Sequence, residues 1–348
     1  MQEFYVIRIL FFTAMAFVFT MAWTPFFTHF LYKYKLGKQI RDDGSTPLFS
    51  KLHAHKAGTP TMGGVLVWVT VLIFSLAFFY FSEYIPYPIF QKLNFLTRSQ
   101  TLLPLGCLVA SALVGLFDDY LDVRKRGYKK RGIKFSHKLM IYAVIALVGA
   151  WWFYFKLGWD LIHVPFLGYY NIGLWYLLFF IIIVVGTAFS VNQTDGLDGL
   201  AGGCLLAAFG AYCVIAFATG KYDLATFCAI IVGALLAFLW FNINPARFIM
   251  GDTGSISLGV TLALVALYTN TVFILPFVGF IFVLEAVSTV IQILSKKIFH
   301  KKVFLSAPIH HHFEALGWPE TKIVMRFWVI SGVMTVLGLA IFVLDKTL

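Results

Sequence analysis

The sequence has few charged residues and few cysteines for its length. Of its 348 residues, 12% are Asp, Glu, Lys or Arg, whereas 60% are apolar and the mean hydropathy is +0.84. A soluble globular domain carries about 25% charged residues, so this composition excludes an ordinary soluble protein. The four cysteines lie inside apolar stretches and have no CxxC spacing, which argues against a disulfide framework and against a zinc site.

The chain instead contains a series of apolar runs, each able to cross a hydrocarbon layer about 30 Å thick. Lipid offers the backbone no other partner, so these runs must be helices. The expected fold is all-α: one polytopic membrane domain, 1–348, with about ten transmembrane helices. The runs are approximately 4–32, 62–82, 101–117, 139–155, 173–190, 200–219, 225–241, 256–270, 272–294 and 327–345. The first run lacks a small-residue cleavage site, so we expect a retained span rather than a signal peptide.

The connections between these runs differ in charge from one side of the membrane to the other. Alternate connections hold 21 of the 27 Lys and Arg residues, and the positive-inside rule assigns this set to the cytoplasm. Both termini are then predicted to be extracytoplasmic. The cytoplasmic connections, which we expect to form the active site, are approximately 33–61, 118–138, 191–199, 242–255 and 295–326.

Acidic residues form two groups at the ends of the third and fifth runs. Adjacent Asp118 and Asp119 could bind a hard cation or accept a proton, although a solvated helix end explains them as well. The connection 191–199 has no basic residue. If it is helical from Asp195, the i, i+3 spacing places Asp195 and Asp198 on one face, in line with Asn192. A turn would also explain its Asn, Asp and Gly content.

A third acidic position, Asp252, stands among glycine and hydroxyl residues just before the eighth run. This context suits metal ligation or helix capping. Because the three groups share one membrane face, Asp118, Asp119, Asp195, Asp198 and Asp252 could converge on one pocket. Such a cluster repels itself unless a cation neutralises it, so we expect Mg²⁺.

Basic and histidine residues flank this predicted pocket. Lys56 precedes the second run, and His310, His311 and His312 lie in the last cytoplasmic connection. Adjacent histidines rarely reach one metal ion, so we expect phosphate contact rather than zinc. The net charge of +11 alone fits nucleic acid, anionic lipid or an anionic substrate. Its position beside the membrane favours lipid and substrate, and we expect no nucleic acid partner.

Five motifs follow one another along the predicted cytoplasmic face. They are GTPTMGG at 58–64, FDDY at 117–120, NQTDGLDGLAGG at 192–203, FNINPARFIMGDTGS at 241–255 and APIHHHFE at 307–314. Together they resemble the phospho-N-acetylmuramoyl-pentapeptide transferase family, a branch of the polyprenyl-phosphate N-acetylhexosamine-1-phosphate transferases. The histidine motif favours this branch over the GlcNAc-1-phosphate branch.

The resemblance implies transfer of phospho-N-acetylmuramoyl-pentapeptide from its UDP carrier to undecaprenyl phosphate, giving lipid I and UMP with Mg²⁺ as cofactor. It also implies a homodimer in the bacterial inner membrane, with the active site facing the cytoplasm. Two alternatives remain: a UDP-GlcNAc:undecaprenyl-phosphate GlcNAc-1-phosphate transferase and a membrane transporter. Transporters place ionisable groups near the bilayer midplane, whereas here Glu285 alone lies deep within a run.

The resemblance also implies roles for individual residues. Asp252 is the expected magnesium ligand, Asp118 and Asp119 lie beside the metal and the lipid phosphate, either of them a candidate base, and His310 is the remaining catalytic candidate. The expected substrate-binding residues are Lys56, Thr61, Lys138, Asn192, Asp195, Asp198, Asn242, Gln292, His311 and His312. Lys134 is a rival of Lys138. Where the family often has Phe, this chain has Ile249, so Phe248 is the candidate for stacking on uracil.

Overall fold

A computed structural model describes residues 2–37, 56, 58–125 and 132–347. Its elements are α1 (Gln2–Lys33), α2 (Val65–Tyr84), α3 (Pro88–Leu93), α4 (Leu102–Val123), α5 (Phe135–Trp151), β1 (Leu161–Val164), β2 (Gly168–Asn171), α6 (Trp175–Thr194), α7 (Leu200–Ala218), α8 (Tyr222–Asn242), α9 (Asp252–Tyr268), α10 (Leu275–Val278), α11 (Phe280–Ile298), α12 (Ile309–Ala315) and α13 (Glu320–Thr347). α5 continues as one π-helical turn, Trp152–Lys156. Most of the predicted cytoplasmic connection 33–61, and residues 126–131 of the connection 118–138, lie outside the described residues.

Eight of the described helices are long and apolar enough to cross a membrane: α1, α2, α4, α5 with its π-helical turn, α6, α7, α8 and α13. The other two predicted runs are also helical. α9 has only 17 residues, and α11 carries Glu285, Lys296 and Lys297. The prediction of an all-α polytopic membrane protein is confirmed, while the side on which the termini lie stays a prediction.

The outer helices present apolar side chains to their surroundings. Only 22% of the most apolar part of α1 and 28% of that of α13 are buried within the protein. Leu10 and Phe26 on α1, and Val329 and Val336 on α13, are exposed. Soluble proteins rarely expose apolar surface on this scale, so these are the surfaces of helices that face lipid.

The centre of the bundle is α9. Every residue from Thr253 to Tyr268 is buried, because α2, α4, α6 and α7 pack around this helix. Two of its hydroxyl groups bond within the helix: Ser257 Oγ donates to the carbonyl of Thr253 at 2.5 Å, and Thr261 Oγ1 donates to that of Ser257 at 2.8 Å. Thr253 Oγ1 donates to the carbonyl of Ala112 on α4 at 2.9 Å, whereas the buried Tyr268 hydroxyl has no hydrogen-bond partner within the described chain.

Glycines allow α2 and α4 to approach the start of α9 closely. A Cβ at Gly64 would overlap with the Cα of Gly254, and a Cβ at Gly115 would lie 2.6 Å from the backbone of Asp252. The amide of Gly64 also donates to the carbonyl of Met250 at 2.9 Å. These contacts fix the backbone position of the residue at which α9 begins.

A β-hairpin between α5 and α6 was not predicted from the sequence. β1 and β2 pair antiparallel, with Leu161 opposite Asn171. The amide of His163 donates to Asn270 Oδ1 at 3.0 Å, so the hairpin covers the end of α9 that lies far from Asp252. Strands of four residues are too short to show a clear alternation of apolar and polar residues.

Candidate active site

One end of the bundle brings together the ends of α4 and α6 and the beginnings of α5 and α9. Asp118 and Asp119 lie near the end of α4, and Lys138 lies in the first turn of α5. Asn192 lies in the last turn of α6, and Asp252 is the first residue of α9. Residues far apart in the chain therefore meet because these helix ends share one side of the bundle.

Lys138 lies between two of the predicted acids. Its Nζ donates to Asp252 Oδ2 at 2.6 Å and forms an ion pair with Asp118. Asp252 Oδ1 accepts a hydrogen bond from Asn192 Nδ2 at 2.8 Å, and the same nitrogen donates to Ser255 Oγ at 2.9 Å. Two carboxylates thus direct oxygens at a single cation, and Asn192 fixes the orientation of one of them.

These charged groups differ in exposure. The side chain of Asp118 is 6% exposed, and one of its oxygens accepts the amide of Ile133 at 2.5 Å. The side chains of Lys138 and Asp252 are 20% and 21% exposed. Asp252 is therefore the more accessible carboxylate of this pair, and its role as a metal ligand stays a prediction.

Asp119 is placed differently from its neighbour. Its Oδ1 accepts the amide of Asp252 at 3.1 Å, and its Oδ2 accepts the amide of Thr253 at 3.1 Å. The first amides of a helix have no carbonyl partner within that helix, so Asp119 caps α9 from a neighbouring helix, where its negative charge is also favourable. This buried side chain positions Asp252 rather than facing open space.

The segment 195–199 is a loop, so of the two alternatives for this connection the helix beginning at Asp195 is wrong and the turn is correct. α6 ends before it and α7 begins after it, and Gly199 has a φ of +80°, a left-handed conformation that favours glycine. Asp195 and Asp198 therefore do not share a helix face. Asp195 Oδ2 accepts the amide of Gly251 at 3.1 Å, which joins this loop to the start of α9.

Asp198 belongs to a second cluster of charged residues. Its Oδ1 accepts from Lys56 Nζ at 2.7 Å, and its Oδ2 accepts from Asn244 Nδ2 and the amide of Ala246, both at 3.1 Å. Lys56 also pairs with Glu320 at 2.5 Å. Four of the five predicted acids thus surround the start of α9, whereas Asp198 lies in this cluster. Glu320 was not predicted as a site residue, because acidic residues are common in the first turn of a helix, where they interact favourably with the helix dipole.

Asn242 and Thr61 hold the backbone around the loop that precedes α9. Asn242 Oδ1 accepts the amide of Gly199 at 3.0 Å, and its Nδ2 donates to the carbonyl of Phe248 at 2.8 Å. The amide of Thr61 donates to the carbonyl of Leu36 at 3.0 Å. Both side chains are buried; the Asn242 side chain joins two backbone segments beside the site, whereas the Thr61 bond is made by its backbone and joins the segment before α2 to the residues just after α1.

Phe248 is not available to stack on a nucleotide base. Its side chain is fully buried, and its ring centroid lies 5.6 Å from that of Phe238 and 6.1 Å from that of Phe241. The prediction that Phe248 takes over this role is wrong, because the ring packs into the core. Ile249 is the partly exposed residue at this position.

The three consecutive histidines have three different partners. His310 Nδ1 lies 2.9 Å from Glu285 Oε2, and both side chains are fully buried. His311 Nδ1 lies 2.5 Å from Glu314 Oε2, and His312 Nδ1 accepts a backbone amide at 3.2 Å. The His310 and His311 rings are adjacent, with centroids 4.0 Å apart, but their Nδ1 atoms contact different carboxylates. The sequence showed Glu285 as an acid deep within an apolar run, but its partnership with His310 was not predicted.

Gln292 and Lys134 complete the set of predicted residues. The Gln292 amide accepts from Val303 and donates to the carbonyl of Phe304 at 2.9 Å, so both its ends fix the segment that leads to α12. Lys134 immediately precedes α5 and is exposed. Of the two rival lysines, Lys138 is the one that contacts Asp118 and Asp252.

The residues around Lys138 also suit a divalent cation. Mg²⁺ is usually held by one or two carboxylates together with water and substrate phosphates, rather than by a cage of protein ligands. Asp118 and Asp252 already direct oxygens at a positive charge. In the part of the chain that the structure describes, no three His, Cys, Asp or Glu side chains could hold a metal ion. Substrate oxygens or water would therefore have to complete its coordination.

An apolar cavity of about 440 Å³ lies at the same end of the bundle, between α1 and α4. Phe30, Met62 and Leu116 contribute to its walls, and Arg124 is the charged residue in its described lining. Tyr120, which follows Asp119 in the chain, also lines the cavity. An apolar chain with an anionic head group would find both complementary surfaces here.

Sequence comparison first gives the class of protein. The family model described as glycosyl transferase family 4 matches residues 101–270, which contain α4 to α9 and most of the acidic site. A short motif described as phospho-N-acetylmuramoyl-pentapeptide-transferase signature 1 matches residues 56–66, which include Lys56 and Thr61. The fold and these matches define a polytopic membrane transferase.

Full-length relatives then identify the family. A phospho-N-acetylmuramoyl-pentapeptide-transferase of Chloroflexus aggregans (strain MD-66 / DSM 9485) is 39% identical over 347 residues, covering 96% of this chain and 89% of the relative. One of Geobacillus sp. (strain WCH70) is 37% identical, covering 94% of this chain and 95% of the relative. This chain belongs to the phospho-N-acetylmuramoyl-pentapeptide-transferase family.

Proposed function

We propose that this protein transfers phospho-N-acetylmuramoyl-pentapeptide from UDP-N-acetylmuramoyl-pentapeptide to undecaprenyl phosphate, giving lipid I and UMP. This reaction is the first membrane step of peptidoglycan synthesis. Family membership supports the proposal. The observation that carries it is the ion-pair cluster in which Lys138 joins Asp118 and Asp252 at the end of the bundle that holds the family motifs.

The proposed chemistry is phosphoryl transfer. An oxygen of the lipid phosphate forms a bond to the β-phosphorus of the UDP-sugar, and the bond to the bridging oxygen breaks, so that UMP leaves with that electron pair. Catalysis of such a step comes mainly from positioning and from neutralisation of charge. Lys138 and Lys56 supply positive charge for the anionic oxygens, and Asn192 and Asp119 hold Asp252 in a fixed orientation.

We also propose Mg²⁺ as the cofactor, with Asp252 and Asp118 as its protein ligands. When bound, the ion neutralises negative charge on the diphosphate and on the leaving oxygen. The convergence of these two carboxylates on the Lys138 ammonium supports this assignment. The single positive charge of Lys138 balances at most one of these two carboxylates, so a bound cation would offset the negative charge that remains.

The active site is proposed to face the cytoplasm of a bacterial inner membrane, which the concentration of Lys and Arg in the connections at this end supports. The apolar cavity beside α4, with Arg124 in its lining, suits the lipid substrate. The homodimer rests on the resemblance of the motifs alone. Chemical crosslinking of the membrane-embedded protein tests it.

Radiolabel transfer tests the function directly. Purified protein is supplied with undecaprenyl phosphate, Mg²⁺ and either labelled UDP-N-acetylmuramoyl-pentapeptide or labelled UDP-GlcNAc, and label is counted in butanol-extractable lipid. We expect transfer from the first donor only. Label from UDP-GlcNAc alone would assign the protein to the other branch, and no transfer from either donor would reject the proposal.

The variant Asp252→Asn tests the site. The neutral amide keeps the shape of the side chain but loses its charge, so we expect less than about a tenth of wild-type transfer with an unchanged melting temperature. Asp160→Asn removes a carboxylate at the opposite end of the bundle and should retain transfer. Comparable activity in both variants would remove Asp252 from the catalytic centre.

A further inference from the structure

Glu285 is a carboxylate in the apolar part of α11 that the proposed reaction has not used. Its side chain is 0% exposed, as is that of its partner His310, and His310 Nδ1 lies 2.9 Å from Glu285 Oε2. Ionisable residues within membrane-spanning segments are energetically costly and usually serve a function. We therefore expect Glu285 to have a function in addition to packing.

Each member of this pair has a second polar atom without a partner. Glu285 Oε1 and His310 Nε2 are buried and make no hydrogen bond within the described chain. Buried polar atoms are normally paired, so an unpaired one often marks a position that a ligand completes. The imidazole has one nitrogen committed to Glu285 and the other one free.

The free nitrogen faces the loop that joins the two charged clusters. His310 Nε2 lies directly against Gly196, where an added Cβ would overlap with the ring. On one side of Gly196, Asp195 bonds to the start of α9, and on the other, Asp198 bonds to Lys56. Because Gly196 has no side chain, only its backbone lies against Nε2. A small shift of this loop would therefore expose the ring to a ligand.

We propose that Glu285 is a positioning residue: its carboxyl group holds the His310 ring through the hydrogen bond at Nδ1, so that Nε2–H donates to an oxygen of the substrate diphosphate. A carboxyl group that bonds to one nitrogen of a functional histidine fixes the orientation of the ring. This inference rests on the proposed function and adds a residue to its mechanism.

Glu285→Gln is the first test, because glutamine keeps the size and an acceptor oxygen but removes the charge. We expect the turnover number for lipid I formation to fall roughly ten- to a hundredfold, the range found when the carboxylate behind a functional histidine is replaced. The matched control is Glu83→Gln, which neutralises an exposed acid at the end of α2 and should leave turnover within twofold of wild type. Wild-type turnover in Glu285→Gln would overturn the inference.

A double-mutant cycle separates positioning from general support of the fold. If Glu285 acts only through His310, then Glu285→Gln/His310→Ala should turn over at the rate of His310→Ala alone, within about twofold. Losses that multiply would show that Glu285 acts independently of the ring and would overturn the inference. Melting curves of each variant show whether a lost activity reflects unfolding.

Gly196→Ala tests the same idea without changing either member of the pair. The added methyl displaces the His310 ring from the loop, so we expect a loss of turnover similar to that in Glu285→Gln and no further loss when it is combined with His310→Ala. Gly210→Ala on α7 is the control, because a Cβ there meets no atom within 4 Å. If Glu285→Gln fails to fold, full turnover in a folded Gly196→Ala rejects the inference by itself.

The outcomes for the inference and for the proposed function are distinct. If wild-type protein transfers label from neither UDP-sugar, the proposed function fails. If wild-type protein is active and the Glu285 and Gly196 variants match it, only the role of Glu285 fails.

Discussion

Asp118 and Asp119 are neighbours in the sequence, but their side chains meet different partners. Successive residues on a helix point about 100° apart, so one carboxylate faces Lys138 and the other faces the first amides of α9. The sequence predicted an acidic pair at a helix end near Asp252. It could not separate a ligand-facing acid from a capping acid, because that distinction depends on which helix packs beside each face.

The capping role of Asp119 makes a prediction about stability. Asp119→Asn loses the charge and one of the two acceptor oxygens that bind the amides of Asp252 and Thr253. We expect the free energy of unfolding to fall by about 1–2 kcal/mol, the cost of removing a good helix cap. Thermal melting in detergent with Asp119→Glu as a comparison measures this loss. An unchanged melting temperature in Asp119→Asn would argue against the cap.

The contacts of Lys138 lead to a second prediction, which distinguishes this residue from Lys134. Lys138→Gln leaves Asp118 and Asp252 facing each other without a cation, and removes a donor from the centre of the site. We expect transfer to fall by about a hundredfold or more, as when one preorganised donor is removed from an active site. Lys134→Gln, four residues earlier at the start of the same helix, should stay within a few fold of wild type. The reverse order of effects would assign the role to Lys134.

At the scale of elements, the position of Asp252 depends on how closely α4 packs against the start of α9. Gly115 permits this approach, because a Cβ there would lie 2.6 Å from the carbonyl and backbone of Asp252. We expect Gly115→Ala to lower both the melting temperature and the transfer rate, with an overpacking cost of about 1–3 kcal/mol. Gly106→Ala on the same helix meets no atom within 4 Å and is the matched control. Equal behaviour of the two variants would contradict the close approach.

The same scale shows what the sequence could and could not predict. Long apolar runs predicted each of the eight described helices that are able to cross a membrane, because length and composition suffice for that inference. The short β1–β2 hairpin was not predicted, and for the segment 195–199 the sequence left a helix and a turn as alternatives, of which the turn is correct. Asp195 and Asp198 have helical spacing, but glycines at 196 and 199 end the regular structure, and Gly199 adopts a positive φ. The spacing of two polar residues is a weak signal when glycines lie between and beside them.

For the whole molecule, the sidedness predicted from the Lys and Arg distribution is open to a direct test. Ser99 and Ser136 are both exposed, and the prediction places Ser99 outside and Ser136 in the cytoplasm. In a background without the native cysteines, Ser99→Cys in intact cells should react with a membrane-impermeant maleimide, whereas Ser136→Cys should react only after lysis. Labelling in the opposite pattern would place the acidic site outside the cell.

The enclosure of α9 has a consequence for how the protein responds to bilayer thickness. Lipid-facing helices tilt or shift when the hydrocarbon layer is thinner or thicker than their apolar length. With 17 residues, α9 is about 25 Å long. Its length does not have to match the thickness of the hydrocarbon layer, because protein surrounds it on all sides. Mismatch is therefore absorbed by the helices that face lipid, while Asp252 keeps its place relative to α4, which packs closely against α9. We expect turnover in vesicles to change by less than about threefold as the lipid acyl chains lengthen from 14 to 20 carbons.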